Sequence, residues 1–427
     1  MRKLRLCFCV LALSAMMFTA CGKEEKKADA PAPTEAVTPE PTAVPDPTAT
    51  PVPTATPKPT VTPMGANLPA GLNLQNTYGK SFDHIGTCVT LNHLTNKTAV
   101  DLLKANYNSI TMENEMKPDA ILKKTLMTVD AAKELGYVIP ENYKEDVVPT
   151  LNFYATDRAL SFCAENNLGL RGHTLVWHSQ TPTWFFRENY DASGAFVSPE
   201  VMDARMEFYI RSVMGHVYDH ENGNVLYSWD VVNEYVHAEN SGWEAVYGNE
   251  GLTPGFVKKA FMIADDVLRQ YGVREKVSLL YNDFSTYSVT AQILKLLAFI
   301  NEDGAQSYCD GVGMQSHLEA NKPPVIKFKM AVEDFLEVGY EVHLTELDVG
   351  SKIQMYQDNY YYDLMQALLE IKLAGGKLHG ITYWGLADMY SWRKDEKPLL
   401  YTTLSTPKSS YYKVLEAYVD MGLYTEE

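Results

Sequence analysis

Short apolar runs alternate with helical patterns along the chain from residue 72 to about residue 422. The runs are rich in β-branched and aromatic residues and have the length of buried strands. They cover residues 84–90, 109–114, 170–177, 226–234, 277–283, 311–317, 341–349 and 380–388. Helical patterns such as residues 156–167 and 361–376 lie between them, and the second ends on glycines, as helices often do.

Eight strand-and-helix units in roughly 350 residues fit the α/β class and its (β/α)8 TIM barrel, which runs from about 200 to over 400 residues. A doubly wound open sheet is the competing architecture, but no glycine-rich phosphate loop follows the first run. Most runs also end on polar or aromatic residues. Because the C-terminal strand ends of a barrel converge on one face, we predict a single barrel domain over residues 72–425 with its site at that face.

The first 21 residues have the pattern of a secretory signal peptide. Basic residues precede an apolar stretch that is too short for a membrane span, and small residues come before Cys21. Thr19 and Ala20 resemble the end of a bacterial lipoprotein cleavage box, although Phe18 departs from the usual leucine. We therefore expect a signal peptide over residues 1–21, a lipid anchor to the membrane at Cys21, and a bacterial cell-surface lipoprotein; a plain signal peptide cut nearby is the alternative.

A proline- and threonine-rich segment follows. Residues 30–63 hold 11 of the chain's 22 prolines and 9 threonines, and no aromatic residue lies between Thr19 and Thr77. Such a segment cannot bury enough apolar surface to offset its ordering entropy. We predict a disordered Pro/Thr-rich linker over residues 22–71 that spaces the barrel from its anchor; a leader with no positional role is the alternative.

Composition and charge narrow the possible partners. The chain has 427 residues, 46% of them hydrophobic, and a formal charge of -17, which argues against a nucleic-acid partner because phosphate binding needs clustered Lys and Arg. Besides Cys21, the mature chain would keep Cys88, Cys163 and Cys309, with no CxxC spacing or His-rich cluster. We expect buried free thiols and no metal site. No obligatory protein partner is evident from the sequence.

Two carboxylates carry the candidate chemistry. Glu234 ends the fourth run, and Glu346 lies in the second half of the seventh. Hydrolysis of a glycosidic bond needs such a pair, at about 5 to 5.5 Å for retention of configuration or about 6.5 to 9.5 Å for inversion. Either residue alone is more readily explained as a buried ion-pair partner. The two together, on separate strand ends of one barrel, favour the pair that glycosidic bond hydrolysis needs over two unrelated ion-pair partners.

Five sequence segments around the strand ends carry the most specific pattern. They are "RGHTLVWHSQTPTWFF" (171–186), "WDVVNE" (229–234), "GVGMQSH" (311–317), "TELDV" (345–349) and "WGLADMYSWR" (384–393). In order and approximate spacing they resemble glycoside hydrolase family 10, the retaining endo-β-1,4-xylanases, over nearly everything from Gly79 to Tyr412. The resemblance implies that Glu234 is the general acid and base and Glu346 the nucleophile. It also implies xylan or xylo-oligosaccharide as the substrate and no cofactor.

The resemblance extends to the residues that would hold the sugar. Asn233 would donate a hydrogen bond to the sugar 2-hydroxyl, which strengthens in the transition state. His317 and Asp348 would keep Glu346 ionised, and Asp230 would brace the polar groups below the sugar. The other substrate-binding residues expected on this basis are Glu113, Asn114, Lys117, His173, Trp177, Gln180, Gln315, His317, Trp384 and Trp392.

Some features depart from the family pattern. Met112 and Thr183 replace a common Pro and a common Asp, and Phe284 stands where Tyr is frequent. Residues 122–150 form a longer link than usual between the second and third strands and are a candidate extension of the cleft rim.

Two alternative functions stay open. One keeps the fold and mechanism but acts on β-1,3-xylan, cello-oligosaccharides or aryl glycosides; the other is a non-catalytic sugar-binding lipoprotein, which would have no reason to carry both glutamates.

Overall fold

The structure, a computed structural model, describes residue 65, residues 67–304 and residues 307–425. The predicted signal peptide, Cys21 and most of the predicted linker lie outside the described residues. The strands of the described part are β1 (His84–Val89), β2 (Ser109–Met112), β3 (Leu122–Thr128), β4 (Val147–Leu151), β5 (Gly169–Trp177), β6 (Leu226–Asn233), β7 (Ser278–Asp283), β8 (Gly311–Met314), β9 (His317–Glu319), β10 (Glu341–Gly350), β11 (Leu378–Tyr383), β12 (Tyr401–Thr403) and β13 (Thr406–Pro407).

The α-helices of the described part are α1 (Tyr78–Ser81), α2 (Leu91–Thr95), α3 (Lys97–Asn106), α4 (Pro118–Ile121), α5 (Val129–Glu134), α6 (Tyr154–Asn166), α7 (Pro199–Asp219), α8 (Gly242–Tyr247), α9 (Gly255–Gln270), α10 (Thr286–Ile300), α11 (Val325–Val338), α12 (Gln354–Leu373) and α13 (Ser409–Asp420). None of the helices in this part of the chain has the length and apolar character needed to cross a membrane.

Eight parallel strands close into a barrel. Their order is β11, β1, β2, β5, β6, β7, β8 and β10, and β10 pairs with β11 to complete the ring. Each of the eight predicted runs forms one of these strands, so the predicted TIM barrel is confirmed. The runs are almost continuously apolar because barrel strands are buried on both faces, by the barrel interior and by the surrounding helices.

The sixth and eighth predicted runs differ from the observed strands at their C-terminal ends. The chain turns at Ser316 (φ 64°), so the sixth run divides into β8 and β9. The eighth strand stops at Tyr383, and Asp388 begins a 3₁₀ turn. The Asp388 carboxylate accepts a hydrogen bond from Lys408 Nζ at 3.0 Å, which gives this carboxylate a structural partner.

Strands that carry candidate residues are irregular near their C-terminal ends. The pairing register shifts between His173 and Val176 on β5, and between Asp230 and Val232 on β6. Such shifts re-aim the side chains beyond them. Glu234 then takes a left-handed conformation (φ 60°, ψ 31°), and its N–H donates to the Asn282 carbonyl at 2.8 Å. The chain therefore leaves the strand direction at the candidate acid.

The segment that is a candidate extension of the cleft rim forms an antiparallel pair, β3 with β4, joined through α5. Its contacts attach it to α7. The Tyr137 ring lies 6.1 Å from that of Phe208, the Val138 N–H donates to Ser212 Oγ at 3.0 Å, and Glu145 pairs with Arg205 at 2.5 Å. The contacts therefore show that the β3–β4 segment covers α7. The sequence interpretation did not foresee this role.

The folded domain includes residues just before position 72. The Leu68 N–H donates to the Gly65 carbonyl at 2.9 Å, and the half-buried Leu68 side chain packs against the barrel core. Cys88, Cys163 and Cys309 are buried free thiols, as expected.

Candidate active site

The two glutamates lie at the mouth of the barrel, on strand ends that β7 and β8 separate. Glu346 is near the end of β10 and Glu234 directly follows β6. The two intervening strands contribute Asn282, on β7, and Gln315, just after β8. These amides fill the space between the carboxylates, so the pair shares one hydrogen-bonded network.

Glu346 is held as a carboxylate. It is only 4% exposed, and burial by itself would raise its pKa. The hydrogen bond from His317, together with the charges of His173, His317 and Lys117, outweighs that effect and lowers the pKa of Glu346 to about 2. Asn282 Nδ2 also donates to Glu346 Oε1 at 2.8 Å. The group is therefore ionised throughout the range in which proteins usually work.

A chain of charges behind Glu346 begins at His317. Its Nε2 lies 3.2 Å from Glu346 Oε2, and its Nδ1 lies 3.1 Å from Asp348 Oδ2. Burial would lower the pKa of His317, but the Asp348 charge and the bonds to Asp348 and Glu346 raise it to about 10. Asp348 also accepts from Arg393 Nη1 at 2.6 Å and from Trp392 Nε1 at 3.1 Å. His317 thus lies between the two carboxylates, within ion-pair distance of each.

Glu234 has a different environment. Its side chain is 13% exposed and accepts from Trp177 Nε1 and from Gln315 Nε2, each at 2.7 Å. His178 Nε2 lies 3.9 Å from Glu234 Oε2, and burial lowers the pKa of His178, which favours its neutral form. The close donors are thus neutral N–H groups, which stabilise a carboxylate less than a cation does. Glu234 thus differs from Glu346, whose close donors include a cationic histidine.

The amide of Asn233 is oriented by its neighbours. Its Oδ1 accepts from Asn282 Nδ2 at 2.8 Å and from Gln315 Nε2 at 3.3 Å. Its Nδ2 is buried and, among the described residues, has no hydrogen-bond partner. A buried amide N–H group without a partner is costly unless a ligand satisfies it. Asn233 therefore presents a free donor beside Glu234.

The floor of the site rests on Asp230, which is fully buried. Asp230 accepts from Arg171 Nη2 at 2.5 Å, and its other oxygen lies 2.8 Å from His173 Nδ1. The His173 ring meets the Trp384 ring edge-on, with centroids 5.5 Å apart. Asp230 thus braces His173 and, through it, the wall of the site.

A second polar cluster lies on the side of β2. Lys117 Nζ donates to Asn114 Oδ1 at 3.0 Å and to Gln180 Oε1 at 3.1 Å, and it lies 4.8 Å from the centre of the Trp177 ring. Glu113 is half-buried beside it; burial raises the pKa of Glu113, against the lowering effect of Lys117. The predicted residues of this strand are thus brought together next to the carboxylate pair.

The two tryptophans of the eighth unit differ in exposure. Trp384 is 6% exposed and packs near His173 and His317, whereas Trp392 is 60% exposed and meets the His317 ring edge-on at 5.0 Å. A flat, exposed indole above a carboxylate network suits the C–H face of a sugar ring. Trp384 is therefore buried against the two histidines of the site, whereas most of the Trp392 ring is open to solvent.

The sequence interpretation missed several partners in this site. Asn282 and Arg393 contact predicted residues and Thr345 contacts Asn282, yet the sequence interpretation gave none of the three a role in the site. Thr345 and Arg393 stand within the quoted segments, and Asn282 stands near the end of the run over residues 277–283, so the position at a strand end was an available signal for Asn282. Phe284, at the position where tyrosine is frequent, stacks on His237 with centroids 4.1 Å apart.

Comparisons with known proteins agree with this geometry. Residues 73–417 match the model of the family described as Glycosyl hydrolase family 10. The chain is 46% identical over 350 residues to endo-1,4-beta-xylanase A of Butyrivibrio fibrisolvens, covering 81% of this chain and 85% of that protein. It is 34% identical over 352 residues to the bifunctional endo-1,4-beta-xylanase XylA of Ruminococcus flavefaciens, covering 80% of this chain and 34% of that protein.

Solved structures show the same likeness. The fold resembles the CBM22-1 and GH10 modules of endo-1,4-beta-D-xylanase 10B from Clostridium thermocellum, solved in complex with xylohexaose. The TM-score is 0.66 at 31% identity, covering 78% of this chain and 65% of that chain.

Proposed function

Because the chain belongs to glycosyl hydrolase family 10, we propose that Glu346 is the nucleophile and Glu234 the general acid and base of an endo-1,4-β-xylanase. The enzyme hydrolyses internal β-1,4 bonds of xylan with retention of configuration. The observation that carries the residue roles is the contrast between the two carboxyl groups. Cationic His317 holds Glu346 ionised, whereas Glu234 receives its close hydrogen bonds from neutral groups.

In the first step, a Glu346 oxygen attacks the anomeric carbon while the bond to the leaving oxygen breaks. Glu234 gives its proton to that oxygen, so the shortened xylan leaves as an alcohol and Glu234 becomes a carboxylate. The glycosyl ester on Glu346 keeps the sugar in the site. The loss of negative charge at Glu346 weakens its attraction to His317. His317 stays in place because it pairs with Asp348, which in turn pairs with Arg393.

In the second step, the Glu234 carboxylate removes a proton from water, and the water oxygen attacks the anomeric carbon. The ester bond breaks, Glu346 is again ionised and Glu234 again carries a proton. Gln315 and Trp177 keep their hydrogen bonds to Glu234 in both steps because both act only as donors to it. The same carboxyl is therefore held in place as acid and as base.

The sugar at the cleaved bond lies among Asn233, His173, Trp384 and Trp392 in this proposal. The free Nδ2 of Asn233 donates to the 2-hydroxyl. The next sugar toward the non-reducing end meets the cluster of Glu113, Asn114, Lys117 and Gln180, whose amide and ammonium groups can bind hydroxyls. The complex of a structural relative with xylohexaose supports a cleft that takes several xylose units.

The test compares sugar release from xylan and from carboxymethylcellulose by the native protein and by Glu346→Gln. We expect release from xylan by the native protein and a loss of at least about a thousandfold in the variant, since a neutral amide cannot act as the nucleophile. Full activity of the variant would reject the nucleophile assignment. Preference for the cellulose derivative would reject the substrate.

The site of action is a separate proposal. We infer that the chain is exported, lipidated at Cys21 and displayed on a bacterial surface at the end of the Pro/Thr-rich linker that precedes the folded domain. Support comes from the sequence, in the basic start, the apolar stretch and the small residues before Cys21. Extracellular display fits a substrate that is too large to enter a cell.

Detergent partitioning tests the anchor. We expect the native chain in the detergent phase and Cys21→Ser in the aqueous phase, because only the thiol of Cys21 can carry the lipid in the proposed processing. Equal partitioning of both proteins would reject lipidation. The xylanase assay of the Cys21→Ser protein serves as the folding control.

A further inference from the structure

The orientation of the Asn233 amide is set from a distance, by groups that the sugar does not touch. An ionised carboxylate accepts hydrogen bonds only, so the group that faces Glu346 Oε1 at 2.8 Å must be the Asn282 NH₂. Gln315 turns its NH₂ to Glu234 Oε1 at 2.7 Å. Each NH₂ has a second hydrogen, and both reach Asn233 Oδ1.

Thr345 completes this arrangement. Its Oγ1 donates to Asn282 Oδ1 at 2.6 Å, so the side of Asn282 away from the carboxylate is also fixed. Thr345 and Asn282 are both fully buried. The hydroxyl thus holds the one amide that donates to both Asn233 and Glu346.

Gly313 on β8 makes room for this contact. A Cβ at this position would lie 2.3 Å from Asn282 Oδ1 and 2.9 Å from Thr345 Cγ2. Both distances are below ordinary contact, and the strand backbone has little freedom to move inside a closed barrel. Three strands, β7, β8 and β10, therefore cooperate to place one amide.

We infer that Thr345 and Asn282 are positioning residues that hold the Asn233 amide with its NH₂ toward the sugar 2-hydroxyl. The inference rests on the proposed function. Without these contacts Asn233 Oδ1 would keep only the longer hydrogen bond from Gln315 Nε2, at 3.3 Å, and its amide would be held less firmly. Asn233 would then lose part of the hydrogen bond that strengthens in the transition state.

The test uses two substrates and a matched pair of variants. Thr345→Val keeps the shape of the side chain and removes the hydroxyl, whereas Thr345→Ser keeps the hydroxyl. The substrates are 4-nitrophenyl β-xylobioside and its analogue without the 2-hydroxyl on the ring that bears the nitrophenyl group. We expect Thr345→Val to lower kcat/KM about tenfold on the first and less than about twofold on the second, and Thr345→Ser to recover to within about threefold.

An equal loss on both substrates would overturn the inference, because a general structural defect does not depend on the 2-hydroxyl. The double variant Asn233→Ala/Thr345→Val adds a second check. If Thr345 acts through Asn233, the double variant is no slower than Asn233→Ala alone, and additive losses would also overturn the inference.

Two further outcomes are distinguishable. Should Thr345→Val fail to fold, Gly313→Ala disturbs the same amide from β8 and is expected to give the same substrate-dependent loss; an equal loss on both substrates overturns the inference here too. No hydrolysis of the xylobioside by the native chain would instead overturn the proposed function, and the inference with it.

Discussion

At the scale of residues, the two candidate catalytic carboxyl groups are distinguished by their hydrogen-bond donors. Glu346 faces a histidine whose pKa is raised to about 10 by Asp348 and Glu346, despite burial that would lower it. Glu234 faces an indole N–H and an amide N–H. The two carboxyl groups therefore differ in what binds them, a cation for Glu346 and neutral N–H groups for Glu234. Neighbouring side chains, and not the glutamates themselves, create that difference.

The acid limb of the pH profile tests the role of His317. Glu346 must be ionised to attack, and its pKa of about 2 leaves it ionised above about pH 3. In His317→Asn the hydrogen bond from the cation is lost while burial remains. The pKa of Glu346 then rises, and the acid limb of kcat/KM is expected to move to higher pH by at least about one unit.

The measurement is kcat/KM on 4-nitrophenyl β-xylobioside from about pH 1.5 to pH 7, a range that includes the acid limb of the native chain and that of the variant. His379→Asn is the control because His379 lies near the start of β11, at the opposite end of the barrel from the glutamates. An acid limb that stays in place in His317→Asn would contradict the assignment of His317 as the group that keeps Glu346 ionised.

At the scale of elements, β6 has two tasks. Its outer residue Trp229 is fully buried and donates to the Tyr218 hydroxyl at 3.0 Å, which ties the strand to α7. Its inner residue Asp230 braces His173. A strand fixed on both faces gives the following residues, Asn233 and Glu234, a constant position relative to β10.

Gly172→Ala tests the fixing of β6. A Cβ on Gly172 would lie 2.2 Å from the Trp229 ring, so the substitution overpacks the contact between β5 and β6. We expect a loss of about 2 kcal/mol in the free energy of unfolding and a lower kcat in the folded protein. Urea denaturation and kinetics on xylobiosides measure the two effects.

Gly215→Ala is the matched control. Gly215 lies in α7, and outside the backbone of that helix the nearest atom to its Cβ would be the Tyr271 hydroxyl oxygen, at 3.5 Å. This variant is expected to be neutral or up to about 1 kcal/mol more stable, since alanine favours a helix. Equal stability of the native chain and Gly172→Ala would contradict the packing argument.

Glu145→Ala tests the attachment of the β3–β4 segment. Arg205 is fully buried, and two of its nitrogens donate to Glu145 while a third donates to the Phe185 carbonyl. Removing the carboxylate leaves a buried guanidinium without its charge partner, which costs about 3 kcal/mol. Urea denaturation measures the change, with Glu141→Ala, an exposed glutamate in the same segment, as the control. Matching midpoints for the two variants would rule out a stabilising role for the pair.

At the scale of the whole molecule, net charge governs the approach of charged substrates. The chain carries a formal charge of -17, and Lys and Arg number 37 against 54 Asp and Glu. A xylan branched with uronic acids is itself an anion, so long-range repulsion opposes its binding at low salt. A neutral xylan meets no such barrier.

Salt dependence of KM tests this effect. Raising ionic strength from 0.01 M to 0.1 M shortens the Debye length from about 30 Å to about 10 Å. We expect KM for glucuronoxylan to fall by about twofold or more over this range and KM for a neutral arabinoxylan to stay constant. The same fall for both polymers would show that the charge of the substrate is not the cause.

The sequence by itself determined the eight strands, their closure into a barrel and the identity of the two glutamates. Apolar runs of strand length are local features, and a barrel brings their ends to one face whatever the details of the loops. The segments around Glu234 and Glu346 could therefore be placed at one site before any coordinates were known. His317 and Asp348 followed from the same resemblance.

Tertiary structure alone decided the relations among side chains from different strands. Asn282, Thr345 and Gly313 are ordinary strand residues in the sequence, and only the register of β7, β8 and β10 brings them to one point. The pKa of Glu346 likewise depends on groups up to hundreds of residues away, because electrostatic effects follow distance in space. The sequence thus predicted which residues carry the chemistry, and packing determined how each is held.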